Sequence, residues 1–170
     1  RLVITNTFEN CEITGNQGAY AVCSDHASFA NCKISSNDGY GLKVNTYTRL
    51  ENCEFVSNGQ NSSCRGHGIL LAGNGVYAYK TPLGGDIISM DFLDMTNCLV
   101  KNNAGSGLHS MKSCGGHAET NIMSCVFDRN RATRGDDTRG GAIFNQDHDI
   151  NISCSTIINN QASSDGGALN

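Results

Sequence analysis

The stretch Asn31-Cys32-Lys33-Ile34-Ser35-Ser36-Asn37 decides the fold, because its pattern recurs along the whole chain. The pattern is Asn or Ser, then Cys, with an apolar residue shortly after the cysteine and an asparagine five positions after it. In the last copy the apolar residue arrives one place late. The six copies pair Cys11 with Asn16, Cys32 with Asn37, Cys53 with Asn58, Cys98 with Asn103, Cys125 with Asn130, and Cys154 with Asn159.

A glycine pair and an apolar residue follow the copies, most clearly in Gly39-Tyr40-Gly41-Leu42 and Gly140-Gly141-Ala142-Ile143. Successive cysteines are 21, 21, 45, 27 and 29 residues apart. A unit near 21 residues with insertions favours one coil of a parallel β-helix, whose short strands alternate inward and outward residues. Coils stacked about 4.8 Å apart place equivalent asparagines above one another as amide ladders. Gly and Asn suit the tight corners.

These repeats resemble those of right-handed parallel β-helix proteins, which share the pectate-lyase-like fold. The forms F-x-x-N at Phe55 to Asn58 and G-G-A-[IL] at Gly140 to Ile143 are similar to repeats of polymorphic outer membrane protein adhesins. The resemblance implies an all-β, right-handed parallel β-helix, a single domain over residues 1–170 with roughly six to eight coils. The chain begins without Met and stops within a repeat, so we expect an uncapped excerpt of a longer chain.

Composition excludes several classes of protein. Only 16% of the 170 residues are charged, compared with about a quarter in an ordinary soluble domain. The net charge of −4 argues against a nucleic-acid partner, which requires a basic face. No apolar run approaches the roughly 18 residues of a membrane span. The 20 asparagines and 20 glycines fit a chain rich in regular corners.

The nine cysteines fall into two groups. Six share one repeat position, and their parallel Cβ vectors are poorly placed for disulfides, so we predict a ladder of buried thiols that pack as small hydrophobes. The other three, Cys23, Cys64 and Cys114, are expected near loops, where one pair could be oxidised. The absence of a C-x-x-C motif argues against a zinc site.

Two short motifs resemble catalytic elements of enzymes that share this fold. Gly66-His67-Gly68 is similar to the G-H-G of polygalacturonases, and Gln146-Asp147-His148-Asp149 to the D-P-H-D of mannuronan epimerases. His67 occupies the middle slot of a repeated glycine pair. Asp25-His26 and Asp147-His148 each lie six residues before a repeat cysteine, so we interpret them as one repeat position. We therefore predict no catalytic residue, and keep a polysaccharide-acting enzyme fragment (uronan lyase, epimerase or polygalacturonase-like hydrolase) as the alternative.

Loop excursions are predicted near 59–65, 72–86, 112–120 and 131–139, where binding residues usually lie. Arginine forks suit carboxylated sugars or an acidic partner, and tyrosines stack on sugars. Asp136 and Asp137 are also candidate Ca²⁺ ligands. The alternatives are a self-neutralising solvated loop and tyrosines that cover the helix flank. The candidate binding residues are Arg129, Arg131, Arg134, Asp136, Asp137, Arg139, Tyr77 and Tyr79.

Two sequons make Asn61 and Asn151 candidates for N-glycosylation. Taken together, the sequence predicts a non-enzymatic extracellular or cell-surface protein, a rigid rod for adhesion or for assembly into a fibre or filament. Its expected partners are neighbouring copies, through end or edge contacts, and carbohydrate. No cofactor is expected apart from the candidate Ca²⁺.

Overall fold

The computed structural model describes residues 6–24, 26–44, 47–59, 69–71, 91–111, 118–133, 139–146 and 149–170. These ranges form six coils that follow one another along the chain. Coil 1 contains β1 (Asn6–Glu9), β2 (Glu12–Thr14) and β3 (Tyr20–Ser24); coil 2 contains β4 (Ala27–Ala30), β5 (Lys33–Ser35) and β6 (Tyr40–Val44); coil 3 contains β7 (Thr48–Glu51), β8 (Glu54–Val56) and β9 (Ile69–Leu71); coil 4 contains β10 (Asp91–Thr96), β11 (Leu99–Lys101) and β12 (Leu108–Met111); coil 5 contains β13 (Ala118–Met123), β14 (Val126–Asp128), β15 (Arg131–Ala132) and β16 (Ile143–Gln146); coil 6 contains β17 (Asp149–Ser153), β18 (Thr156–Ile158) and β19 (Gln161–Ala162).

Coils 1 to 5 each add one strand to each of three parallel sheets, and coil 6 adds one strand to sheet A and one to sheet B. Sheet A has the order β1-β4-β7-β10-β13-β17, sheet B has β2-β5-β8-β11-β14-β18, and sheet C has β3-β6-β9-β12-β16. A short pair, β15-β19, joins coils 5 and 6. This architecture confirms the predicted all-β parallel β-helix. In the part of the chain that the structure describes, no helix has the length and apolar character that crossing a membrane requires.

The core is a set of vertical stacks in which each inward residue lies above its equivalent in the next coil. Sheet B, for example, stacks Ile34, Phe55, Val100 and Phe127, all fully buried. In sheet A the rings of Phe8 and Phe29 are 4.5 Å apart and nearly parallel. Full burial of such a side chain stabilises the fold by about 1.5–3 kcal/mol, so every coil contributes to one continuous core.

Asparagine amides form a second stack at the corner after sheet B. Asn103 Nδ2 donates to Asn130 Oδ1 at 2.8 Å and to the Phe55 carbonyl at 3.0 Å. In turn, Asn103 Oδ1 accepts from the backbone N–H and the side-chain amide of Asn58, at 3.0 and 3.2 Å. The same pattern links Asn16 to Asn37 and Asn37 to Asn58. The ladder satisfies polar groups that burial would otherwise leave without partners.

The last rung is Asn160, so the prediction of Asn159 is wrong. Asn130 donates to Asn160 Oδ1 from its side chain and its backbone, both at 2.9 Å. Asn159 instead occupies the left-handed position before the rung, with φ 55°, where coils 2 and 3 place Ser36 and Ser57. The reason is that Val126 pairs with Thr156, a separation of 30 residues, whereas the two repeat cysteines differ by 29.

The same shift removes Cys154 from the thiol ladder. Cys125 N–H donates to Ser155 Oγ at 3.0 Å, as Cys98 N–H donates to Cys125 Sγ at 3.4 Å, so Ser155 holds the ladder position. Cys154 lies at the preceding corner with φ 49°, close to the 54° of Ser124, and it is exposed. The serine reproduces the thiol's contact with a smaller and more polar group.

The register also separates the two Asp-His pairs. Sheet A aligns Ala27 with Thr48, Leu93, Thr120 and Ile150. The residue before Ile150 is Asp149, so Asp149 rather than His148 corresponds to His26. The interpretation of Asp25-His26 and Asp147-His148 as one repeat position is therefore wrong. Asp25, Asp147 and His148 themselves lie outside the described residues.

The five remaining ladder cysteines keep their thiols within one repeated set of contacts. Cys32, Cys53, Cys98 and Cys125 are buried, and Cys11 is half-buried. In coil 4 the Cys98 thiol donates to the Thr96 carbonyl at 3.3 Å and to the Leu50 carbonyl of the preceding coil at 3.5 Å. Burial raises the pKa of the Cys32 thiol. Hydrogen bonds with Cys125 and Cys53, together with burial, raise the pKa of Cys98, whereas the hydrogen bond with Cys98 lowers the pKa of Cys53 to about 7 and also lowers the pKa of Cys125.

The strands narrow two of the predicted loop excursions. β13 begins at Ala118, so the excursion near 112–120 ends before that residue. β15 pairs Arg131 and Ala132 with β19, so the excursion near 131–139 begins after them. Residues 60–65, 72–86, 112–117 and 134–138 lie outside the described part of the chain, as do Cys64 and Cys114; Cys23 is a free, exposed thiol.

Replacing a central rung should destabilise the whole rod. Asn103→Ser removes the acceptor of the Asn58 backbone N–H and side-chain amide and the donor to the Phe55 carbonyl, so we expect the free energy of unfolding to fall by at least about 3 kcal/mol. Asn159→Ser is the matched control, because serine already occupies that corner position in two coils and the change removes one hydrogen bond, to Asp128, so it should cost only about 1 kcal/mol. Chemical denaturation measures both. Equal losses would contradict the assigned register.

Thiol accessibility gives an independent check of the register. Brief alkylation of the native protein should label the exposed Cys23 and Cys154, while Cys53 and Cys98 react only after unfolding. Mass spectrometry of proteolytic fragments measures the order of labelling. Protection of Cys154 alongside Cys98 would instead support the register expected from the repeat alone.

Candidate functional site

A column of polar side chains runs along the outer face of sheet A. Arg49, Asp94, Asn121 and Asn151 occupy the same register position in coils 3 to 6. Each lies four residues before the ladder position of its coil, which is Cys53, Cys98, Cys125 or Ser155. Strand alternation points these residues outward, since in coils 3 to 5 the neighbouring positions on either side are buried in the core.

Hydrogen bonds between coils hold this column in place. Asn121 Nδ2 donates to Asp94 Oδ1 at 3.1 Å. Asn151 Nδ2 donates to Asn121 Oδ1 at 3.0 Å and to Glu119 Oε1 at 3.0 Å. The chain of bonds fixes the side-chain rotamers before any ligand arrives, which lowers the entropy cost of binding.

The column forms part of the wall of a shallow groove of about 340 Å³ on the same face. Its lining combines polar groups with exposed apolar surface, since Met123 is 48% exposed and Tyr47 is 41% exposed. The edge of the Tyr47 ring packs against Phe92, with centroids 6.5 Å apart. The groove is lined by Tyr47, Arg49, Asp94, Met95, Thr96, Asn121, Ile122, Met123, Asn151 and Ser153.

Negative charge predominates along this face. Arg49 is ion-paired with Glu51 at 3.3 Å, and both side chains are exposed. Asp94 lies in the column, and Glu119 and Asp149 pair in register beside it in coils 5 and 6. The groove therefore offers amide and carboxylate hydrogen-bonding groups and one aromatic edge. In the described residues, no group of three or more His, Cys, Asp and Glu is arranged to hold a metal ion.

Of the predicted arginine cluster, the three arginines that the structure describes do not converge on this groove. Arg129 forms an ion pair with Asp128 at 3.1 Å at the end of β14. Arg131 is exposed in β15, and the Arg139 guanidinium lies 4.3 Å above the Phe144 ring beside sheet C. The other candidates, Arg134, Asp136, Asp137, Tyr77 and Tyr79, lie outside the described residues, and their binding roles stay predictions.

Asp128 organises the charged groups near the end of sheet B. Lys101 Nζ lies 3.2 Å from its carboxylate, and Asn159 Nδ2 donates to it at 3.2 Å. Partial burial acts to raise the pKa of Asp128, but the hydrogen bonds from Asn159 and Lys101 and the nearby charge of Arg129 outweigh it and lower the pKa below its ordinary value. Arg129 and Lys101 therefore both pair with the Asp128 carboxylate on this surface, and the binding role of Arg129 stays a prediction.

The structure describes only one of the two glycosylation candidates. Asn61 lies outside the described residues. Asn151 is exposed on β17, within the column, and its amide nitrogen is engaged by Glu119 and Asn121. A glycan on Asn151 would stand directly on the groove, so glycosylation and ligand binding there exclude each other. Glycosylation of both residues stays a prediction.

Of the residues that form the groove, only Asn151 was singled out from the sequence, and for another role. A signal was nevertheless present, because Arg49, Asp94 and Asn121 all lie four residues before a repeat cysteine. That constant offset predicts one vertical column on one face. The side chains differ in type from coil to coil, so the column is invisible to a search for identical residues.

Comparison with known proteins supports the fold. A protein-family model described as "Right handed beta helix region" matches residues 5–162. Neither a comparison with curated proteins nor one with solved structures found a match.

The lowered pKa of Asp128 predicts how one contribution to stability depends on pH. A carboxylate whose folded pKa is depressed stabilises the fold above its unfolded pKa, and this contribution is lost as the pH falls through the folded value. The unfolding free energies of the parent protein and of Asp128→Asn should therefore differ at neutral pH and approach each other in acid. Denaturation at several pH values measures the difference. A difference in unfolding free energy that is as large in acid as at neutral pH would contradict this role.

Proposed function

We propose, since the chain belongs to the right-handed β-helix family, that it is a non-enzymatic extracellular or cell-surface rod that adheres to carbohydrate through the groove on sheet A. The observation that carries this proposal is the pre-set column of Asp94, Asn121 and Asn151 beside exposed Tyr47 and Met123. Amides and carboxylates hydrogen-bond sugar hydroxyls, and aromatic or apolar side chains pack against the C–H face of a sugar ring.

The composition of the groove favours binding over catalysis. Glycoside hydrolysis requires a pair of carboxyl groups on either side of the scissile bond, one of them protonated. The lining of the groove contains a single carboxylate, Asp94, and the equivalent positions in the next two coils carry the amides of Asn121 and Asn151. Amides bind a substrate but do not exchange protons with it.

The charge distribution favours neutral glycans as the ligand. Asp94, Glu119 and Asp149 would repel the carboxylates of a uronan, and the cation on this face, Arg49, already pairs with Glu51. A glycan that lies along the helix axis would meet one residue of the column in each coil, about 4.8 Å apart. This repetition suits a polymer better than a single small molecule.

A rod of stacked coils also suits assembly. Self-association by end or edge contacts is part of the proposal, because the edges of parallel sheets offer unpaired backbone groups to further strands. Light scattering across a range of protein concentrations tests this part.

Binding of Ca²⁺ by Asp136 and Asp137 also stays a proposal, tested by calorimetry with Asp136→Asn.

Substitution in the column should weaken carbohydrate binding. A glycan array followed by calorimetry should find affinity for neutral oligosaccharides and much weaker affinity for uronans. Asn121→Ser removes the donor to Asp94 and the acceptor for Asn151, and should weaken binding about tenfold or more, as the loss of one or two hydrogen bonds does. Asn159→Ser, the same substitution on another face, should leave the affinity unchanged.

Two outcomes would overturn this function. Equal effects of Asn121→Ser and Asn159→Ser would place the binding site elsewhere. Release of soluble oligosaccharides from pectin, alginate or a neutral polysaccharide, lost in Asp94→Asn, would favour the enzyme alternative, because that substitution removes the carboxylate and keeps the shape of the side chain.

A further inference from the structure

We propose that the column of five cysteine thiols inside the rod is a binding site for Cu⁺, with one ion in each interval between neighbouring coils. The column consists of Cys11, Cys32, Cys53, Cys98 and Cys125, placed in register by the strands on either side of them. This site is independent of the groove on sheet A and of the carbohydrate binding proposed for that groove.

The thiols share one orientation in the buried coils. Each thiol donates both to the carbonyl two residues earlier and to a carbonyl in the preceding coil; for Cys53 these are Glu51 at 3.3 Å and Phe29 at 3.5 Å. Cys98 and Cys125 repeat the pair of contacts with distances within 0.1 Å of these. Identical contacts place the sulfurs directly above one another along the helix axis. Parallel side chains of this kind are unsuited to disulfide formation.

The spacing of the column matches two-coordinate metal binding. Neighbouring strands lie about 4.7–4.9 Å apart. A thiolate sulfur binds a d¹⁰ cation such as zinc at about 2.3 Å, so two such bonds in line span about 4.6 Å. An ion midway between two sulfurs meets each Cβ–Sγ bond at about a right angle, which is the ordinary bent geometry at sulfur. Thiolates bind soft metals such as Cu⁺ and Zn²⁺, and of these two ions Cu⁺ is the one that accepts a linear pair of ligands.

The charge balance also favours a monovalent ion. Each Cu⁺ that enters displaces one thiol proton to solvent, and each inner thiolate bridges two ions. Five thiols enclose four intervals, so a full column holds four Cu⁺ with four thiolates and one thiol, and its net charge is zero. A neutral column avoids the large cost of an uncompensated charge in the core. Zn²⁺ requires about four ligands, and the described residues group no three side chains for it.

The test counts bound copper in a variant in which the thiols outside the column are removed. Cys23, Cys64, Cys114 and Cys154 are replaced by Ser, which leaves the five column thiols. Cu⁺ is added without oxygen in the presence of a chelating competitor, and copper per chain is measured after desalting. We expect four ions per chain, one proton released per ion, and an X-ray absorption spectrum with two sulfur neighbours per copper.

Position-dependent losses then distinguish a column from independent thiols. Cys98→Ser interrupts two intervals and should reduce the count from four to two, whereas Cys125→Ser removes only the last interval and should leave three. Cys32→Ser is a second interior variant that should also leave two, and circular dichroism checks that each variant folds. A loss that is equal for Cys98→Ser and Cys125→Ser, or one ion or fewer in the starting variant, overturns the proposal.

Discussion

Parallel pairing between successive coils is the constraint on which the rest of this structure depends. Strand spacing requires every coil to repeat at about 4.8 Å, so each side chain lies directly above its equivalent in the next coil. Any residue type repeated in sequence becomes a continuous column in space. The fully buried stack of Ile34, Phe55, Val100 and Phe127 shows this for the core, and the amides from Asn37 to Asn130 show it for the corner.

The same constraint determines what each kind of column does. Asparagine suits an inward corner because one amide both donates and accepts along the axis, and each rung satisfies the next. A thiol suits the corner between sheets A and B because it is small, apolar and a weak donor to the carbonyls there. On the outer face of sheet A the column is mixed, and its members differ in charge and length. The inner columns hold the rod together, whereas the mixed outer column presents a surface that can select a ligand.

Much of the fold could be predicted because both the spacing and the residue types of the repeat indicate a parallel β-helix. The predicted alternation of inward and outward residues is confirmed, for example, by Phe29, Ile34 and Leu42, which the structure buries completely. The predicted ladder positions were wrong in coil 6, where the cysteine and asparagine motif continues but lies one residue out of register with the paired strands. Pairing Ile157 with Phe127 keeps the apolar side chain in the core and moves Cys154 to an exposed corner. Core packing outweighed motif identity, because burying the apolar side chain contributes more than keeping a thiol in line.

The sequence by itself determined the class of fold, the position of the coils and the composition of the inner ladders, because these depend on residues that recur at regular intervals. Only the tertiary structure decided the register of the last coil and the existence of the groove. Arg49, Asp94, Asn121 and Asn151 are separated along the chain by insertions of different length, and no residue type unites them. They lie in one column because parallel strand pairing aligns them in register, whatever their separation along the chain. Hydrogen bonds between neighbouring coils then join Asp94, Asn121 and Asn151 into one surface.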